Sequence, residues 1–209
     1  ENKIIICDKS SEKYRFLKKI SKKKNLRLIE INKIEERIKN KFHKKFNEFQ
    51  LKNLSMAISA AKLCNLNEIE ILNSLKKIKG VSGRLELVRT FSNNIKVFVD
   101  YAHTPDALIK TINALKSFHG KNITLVFGCG GDRDFKKRPL MAKIASLNCK
   151  KIFVTNDNPR NENPAKIRNE IIKNIRNKDC FDIGDRNKAI KHAILKAEPK
   201  EIILVAGKG

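Results

Sequence analysis

Glycines and charges crowd the stretch Ile123 to Pro139, ITLVFGCGGDRDFKKRP, and similar mixtures follow apolar runs elsewhere: DYAHTPD from Asp100, NDNPR from Asn156, GKG from Gly207. Arg133 and Arg160 are guanidinium forks that match a carboxylate, whereas Asp132, Asp134 and Asp157 match an ammonium. A lining of cations alone would suit a phosphate. Mixed charge suits a zwitterion, and an amino acid is the natural ligand. Asp100 and His103 suit a hydroxyl-binding aspartate and a phosphate-facing histidine, although a structural histidine has the same composition. Each stretch also has a plainer explanation. Thr104 or Asp106 can cap a helix, Asp157-Asn158-Pro159 can be a turn, and glycine-rich strand-to-helix turns are common for steric reasons alone. Asn53, between Leu51 and Leu54, reads as a surface asparagine, and Arg84 with Glu86 as a solvated edge strand.

These residues form one site only if the fold brings the loops together. Apolar runs at Ile95 to Val99, Ile123 to Phe127, Lys151 to Thr155 and Glu201 to Ala206 predict buried strands. Helical patterns at Pro105 to Phe118, Leu140 to Leu147, Pro164 to Ile175 and Lys188 to Lys196 separate them, and Pro139 suits a first helical turn. Such alternation predicts the α/β class, a Rossmann-like, mostly parallel sheet covered on both faces. Right-handed crossovers then bring every strand's carboxyl end to one edge, where ligands of open α/β sheets bind.

Earlier in the chain, Ile4 to Cys7 and Leu26 to Ile31 read as strands flanking a helix at Ser11 to Ile20, with Lys22 to Lys24 at its exit. Ile34 to Phe49 gives no assignable pattern. Gln50 to Cys64 reads as a helix with one apolar face, and Asn67 with Glu70 as a capping box opening another. Lys79 to Gly83 is the expected boundary between residues 1–79 and residues 80–209.

At 209 residues the chain is long enough for a substantial core, and no run of about 18 apolar residues predicts a membrane span. The 5 cysteines are odd in number and never at CxxC spacing, which argues against a disulfide framework or a zinc site. The net charge of +24 raises the alternative of a non-catalytic basic module that binds nucleic acid. Lysine is spread through the chain with asparagine and isoleucine, however, and no aromatic platform accompanies it. No nucleic-acid partner is expected.

GRLE at Gly83 to Glu86, VDYAHTPDAL at Val99 to Leu108, FGCGGDRD with KRPLM at Phe127 to Met141, DNPR at Asp157 to Arg160 and VAGKG at Val205 to Gly209 together resemble the Mur ligases in order and spacing. Within the family they are most similar to the members that add the third residue of the peptidoglycan stem peptide. Glu48 to Ala61 resembles, more loosely, the end of the family's central ATPase domain. The resemblance therefore implies the tail of an α/β ATP-binding domain over residues 1–79 and the amino-acid-binding domain over residues 80–209.

It further implies that ATP with Mg2+ phosphorylates the terminal carboxylate of UDP-MurNAc-L-Ala-D-Glu, and that the amine of meso-diaminopimelate attacks the acyl phosphate. By family analogy Arg133, Asp157, Asn158, Pro159, Arg160 and Gly207 hold the diaminopimelate. Asn53 meets the adenine, Arg84 and Asp100 lie on the nucleotide side, and His103 is the catalytic residue near the phosphates. No metal ligand is assigned. The arginine of DNPR implies diaminopimelate in preference to lysine, since Arg160 can pair with a second carboxylate.

The widely spaced cysteines fit a reducing cytoplasm, and a monomer without a membrane partner is expected. No GxxxxGK[ST] phosphate loop occurs in the sequence, and the chain ends before the histidine and glutamate that follow GKG in the family. The expectation is the back part of a longer enzyme, inactive as a ligase alone. Lysine-adding and folylpolyglutamate synthetase-like ligases are the alternatives within the same chemistry. Asn156 stands where relatives often carry an acid.

Overall fold

The computed structural model describes residues 3–42, 46–78, 80–120, 122–176 and 179–208. The chain divides into two compact units, Glu1–Lys79 and Gly80–Gly209.

In the first unit β1 (Ile4–Cys7) pairs in parallel with β2 (Arg27–Glu30) across α1 (Tyr14–Lys23). Three helices follow: α2 (Asn32–Phe42), α3 (Glu48–Leu63) and α4 (Glu68–Lys77). Their core is Ile38, Leu51, Ile58 and Leu75, with Phe42, Leu54 and Leu72 packed around it. α2 lies largely within Ile34 to Phe49, where no pattern is assignable from the residues alone. Ile38 is its one buried residue, so most of the helix carries lysine, asparagine and glutamate on the surface and its apolar stripe is faint. The capping box also falls elsewhere than expected. Asn47 and Gln50 exchange reciprocal bonds at the start of α3, whereas Asn67 caps α4 by accepting from the Ile69 N–H without a recorded return bond from Glu70.

The second unit is a six-stranded sheet in the order β3-β4-β8-β5-β6-β7. Its strands are β3 (Glu86–Thr90), β4 (Lys96–Asp100), β5 (Ile123–Phe127), β6 (Lys151–Val154), β7 (Cys180–Asp182) and β8 (Ile202–Ala206). Its helices are α5 (Pro105–His119), α6 (Lys137–Asn148), α7 (Pro164–Ile172) and α8 (Arg186–Leu195). β4, β8, β5, β6 and β7 run parallel, and β3 is an antiparallel edge. The expectation of one common carboxyl edge therefore holds for the parallel strands and fails for β3. β7 was not anticipated, because three residues are too few to show a period.

Alternation along the strands sorts side chains to two faces. Leu125, Phe127, Ile152, Val154 and Leu204 pack under α5, α6 and α7, while Val126, Phe153, Ile203 and Val205 pack against α8. Each fully buried aliphatic side chain contributes about 1.5–3 kcal/mol, so these layers fix the sheet and with it the loops at its carboxyl edge. At the opposite edge, buried Glu201 accepts from Lys151 Nζ at 3.0 Å and from the Thr124 hydroxyl, locking β5, β6 and β8 together.

Candidate functional site

The loops leaving β4, β5, β6 and β8 open at one rim of the second unit. The β5–α6 and β6–α7 loops are fastened to each other along their length. Gly131 N–H donates to the Asn158 carbonyl at 2.9 Å, and Arg160 Nη1 donates to the Gly131 carbonyl at 2.8 Å. Asp132 accepts from the backbone and side-chain N–H groups of Asn161 at 3.1 and 2.9 Å, and Glu162 accepts from the Asp132 N–H at 2.6 Å. The approach leaves no room at Gly131, where an added Cβ would stand 1.9 Å from the Pro159 carbonyl oxygen.

Arg138 lies beneath this pair of loops, 1% exposed, in the first turn of α6. It donates to Glu170 at 2.7 Å and to both oxygens of Glu162 at 2.8 and 2.9 Å. The Glu162 hydrogen bond is the main reason that the Arg138 pKa is raised, and Arg138 in turn holds the Glu162 carboxyl below its usual range. Arg138 and Glu162 therefore hold each other ionised near neutral pH. Asn156 turns the other way, its carbonyl oxygen accepting from Arg168 of α7, which also pairs with Asp182 at 2.5 Å. An acid at position 156 would meet that arginine.

The residues expected to hold a zwitterion lie on the loops above this base. Arg133 is exposed two residues beyond Gly131, and the exposed Arg160 reaches back to the Gly131 carbonyl, so both residues belong to one interlocked loop pair. Asp157 accepts from the Asn158 N–H at 2.6 Å, and its other oxygen lies 3.2 Å from where a Cβ on Gly207 would stand. Gly207 has φ +91°, a backbone state that a side chain would strain, and it donates to the Asp100 carbonyl at 2.9 Å. Lys208 Nζ donates to the Asn158 side chain at 3.2 Å, closing β8's exit over DNPR. Asp132 and Asp134 serve the loops instead: Asp132 holds Asn161, and Asp134 accepts from the Lys136 N–H at 3.0 Å ahead of α6.

The β4 end of the rim has a different character. Asp100 is buried, with one oxygen accepting from the Ala102 N–H at 2.9 Å and the Thr111 hydroxyl at 3.0 Å, the other from the Leu85 N–H at 2.8 Å. It knots GRLE, DYAH and α5 together, and Thr104 caps α5 by accepting from the Ala107 N–H. Arg84 stacks over the Tyr101 ring at 4.9 Å, beside a cavity of about 330 Å³ lined by Ser82, Gly83, Glu86, Val99, Asp100 and Tyr101. Glu86 turns back on this bend, accepting from the Gly83 N–H at 2.6 Å and from Ser82 at 2.9 Å. His103 is exposed, with Nδ1 2.9 Å from the Tyr101 carbonyl oxygen. That oxygen can only accept, so Nδ1 carries a proton and Nε2 faces outward. Asn53 is exposed on α3 in the first unit.

Two contributors went unassigned in the sequence. Arg138 stands inside the quoted KRPLM run, where an arginine on the buried side of an otherwise apolar helix is the signal. Arg186 opens α8 and donates to the carbonyls of Ala206, at 2.9 Å, and Lys208.

A parallel sheet covered on both faces, with loops of both charges and a cavity at its carboxyl edge, defines an α/β domain of the kind that binds ligands beyond its strand ends. The family model described as "Mur ligase, glutamate ligase domain" matches residues 83–209, and the chain belongs to the Mur ligase family. It is 43% identical over 163 residues to the UDP-N-acetylmuramoyl-L-alanyl-D-glutamate--2,6-diaminopimelate ligase of Rickettsia bellii, covering 77% of this chain and 34% of that protein. The protein of the same name from Lactiplantibacillus plantarum is 42% identical over 162 residues, covering 78% of this chain and 33% of the relative. The chain thus spans about a third of the length of these curated relatives. Among solved structures, a ligase of that name aligns over 99% of this chain and 48% of its own, at 25% identity and a TM-score of 0.57. The folylpolyglutamate synthase of Thermotoga maritima shares the fold, with a TM-score of 0.63 at 19% identity over 100% of this chain and 52% of that one.

Proposed function

We propose that the chain is the C-terminal part of an ATP-dependent ligase that joins meso-diaminopimelate to UDP-MurNAc-L-Ala-D-Glu in peptidoglycan synthesis. The observation that supports this is the interlocked loop pair, in which Arg160 reaches the Gly131 carbonyl and Asp157 lies against Gly207, with Arg133 two residues beyond Gly131. Arg133 and Arg160 grip the carboxylates of a diamino diacid, and Asp157 faces its ammonium. Asn158 and Pro159 shape the pocket wall, and positioning of the amine is the domain's main contribution to rate. Arg160 favours diaminopimelate over lysine because lysine has no second carboxylate to pair with it.

ATP, when bound, supplies the phosphoryl group that turns a carboxylate into an acyl donor. The cavity beside Arg84, Asp100 and Tyr101 fits the nucleotide side, with Arg84 available to an anion. His103, with Nδ1 committed to the Tyr101 carbonyl, donates toward a phosphate from Nε2 only as the imidazolium. Asn53 is assigned to the adenine on family resemblance alone. Among the described residues no group of three or more His, Cys, Asp or Glu side chains could hold a metal ion. No helix among the described residues is long and apolar enough to cross a membrane.

Calorimetric titration of the chain with meso-diaminopimelate, L-lysine and L-glutamate tests the assignment. Diaminopimelate should bind at least tenfold more tightly than the other two. Equal binding of lysine would remove the role given to Arg160, and preference for glutamate would favour a folylpolyglutamate-type ligase.

A further inference from the structure

Arg186 occupies a position that its own chemistry disfavours. It is the first residue of α8, where the helix dipole repels a cation, and burial pushes its guanidinium below the ordinary arginine range. Its Nε and Nη1 groups are buried and have no hydrogen-bond partner among the described residues. A neutral side chain would avoid those costs.

What the guanidinium does is specific. Nη2 donates to the carbonyls of Ala206 and Lys208, the residues on either side of Gly207. Gly207 is thereby bracketed while it holds φ +91° against the Asp157 carboxylate. Asp157 supplies the charge that acts favourably on Arg186 and offsets part of its burial. The exit of β8, the DNPR loop and α8 therefore meet at one arginine.

We propose that Arg186 is a positioning residue for the amino-acid pocket, holding Gly207 in its left-handed conformation against Asp157 from beneath the rim. It does not touch the ligand: its role is to fix the two groups that would. The ligand assignment rests on the function proposed above, whereas the placement of Gly207 rests on geometry alone.

The test is to compare Arg186→Gln and Arg186→Lys in the 209-residue chain by amide hydrogen exchange and by calorimetric titration with meso-diaminopimelate. In Arg186→Gln the Gly207 amide, which donates to Asp100, should exchange at least tenfold faster while the amides of β5 keep their rates. Diaminopimelate affinity should fall at least tenfold, and lysine, with its charge and fewer donors, should recover part of both effects. General destabilisation would instead speed exchange in β5 and β8 alike, and that outcome overturns the proposal. So does unchanged Gly207 exchange in a folded glutamine variant. If glutamine prevents folding, the lysine variant decides, since Gly207 exchange equal to that of the unsubstituted chain overturns the inference. Faster Gly207 exchange in a chain that never binds diaminopimelate would sink the functional assignment and leave the positioning role standing.

Discussion

At Gly131 a methyl group has nowhere to go, because the obstacle is backbone rather than a movable side chain. Gly131→Ala should destabilise the second unit by about 3 kcal/mol, the upper end for overpacking, read as a lower urea midpoint at unchanged slope. Asp100 is a second fixed point. Asp100→Asn keeps one acceptor but sets an NH2 against donors, either the Leu85 N–H or the Ala102 N–H and Thr111 hydroxyl, and should cost about 1–3 kcal/mol in the same measurement. Arg160→Ala should act on binding, with diaminopimelate affinity falling by about 1.5–3 kcal/mol in calorimetry, the range for a hydrogen bond to a charged group. Unchanged affinity would show that Arg160 serves only the Gly131 carbonyl. The loops at the rim were legible from the sequence because glycine, arginine and aspartate cluster after apolar runs. Arg138 and Arg186 were harder to find, since their roles depend on carbonyls and carboxylates distant in the chain.

Among the elements, the junction of the β5–α6 and β6–α7 loops with α6 and α7 turns on Arg138. Glu162 and Glu170 keep some solvent access, at 28% and 38% side-chain exposure, so Arg138→Met should cost about 3 kcal/mol, the lower end for breaking a buried ion pair. The pH dependence has a definite sign. Glu162 is more acidic folded than unfolded, so its contribution is complete above the unfolded value of about 4.3 and is lost as pH falls through the lower folded value. Acid titration of stability should therefore be shallower in Arg138→Met than in the unsubstituted chain over that window. Equal acid limbs would mean that Arg138 does not set the Glu162 ionisation. The parallel strands and their helices were readable because full burial makes strands continuous apolar runs. α2 and β7 were not, the first because its buried stripe is nearly a single residue, the second because it is too short to show alternation. β3 was readable as a solvated edge strand from Arg84 and Glu86, but alternation along a strand does not say which way it runs, so its antiparallel direction was not.

On the scale of the whole chain, each unit carries an apolar core drawn from its own residues. Ile38, Leu51, Ile58 and Leu75 belong to the first, and both faces of the six-stranded sheet to the second. The rim's amino-acid residues and the arginines beneath it lie wholly in residues 80–209, and so do the hydrogen bonds that set their geometry. A polypeptide of residues 80–209 should therefore unfold in one cooperative urea transition and bind meso-diaminopimelate as the 209-residue chain does. Removing residues 1–79 takes away Asn53 but none of the side chains assigned to the amino acid. A fragment that folds cooperatively yet loses the amino acid would mean that the first unit completes the pocket. A fragment without a cooperative transition would mean that the sheet's own core is insufficient. The two failures separate on circular dichroism and calorimetry of one preparation, because the first leaves the unfolding curve intact and the second abolishes it.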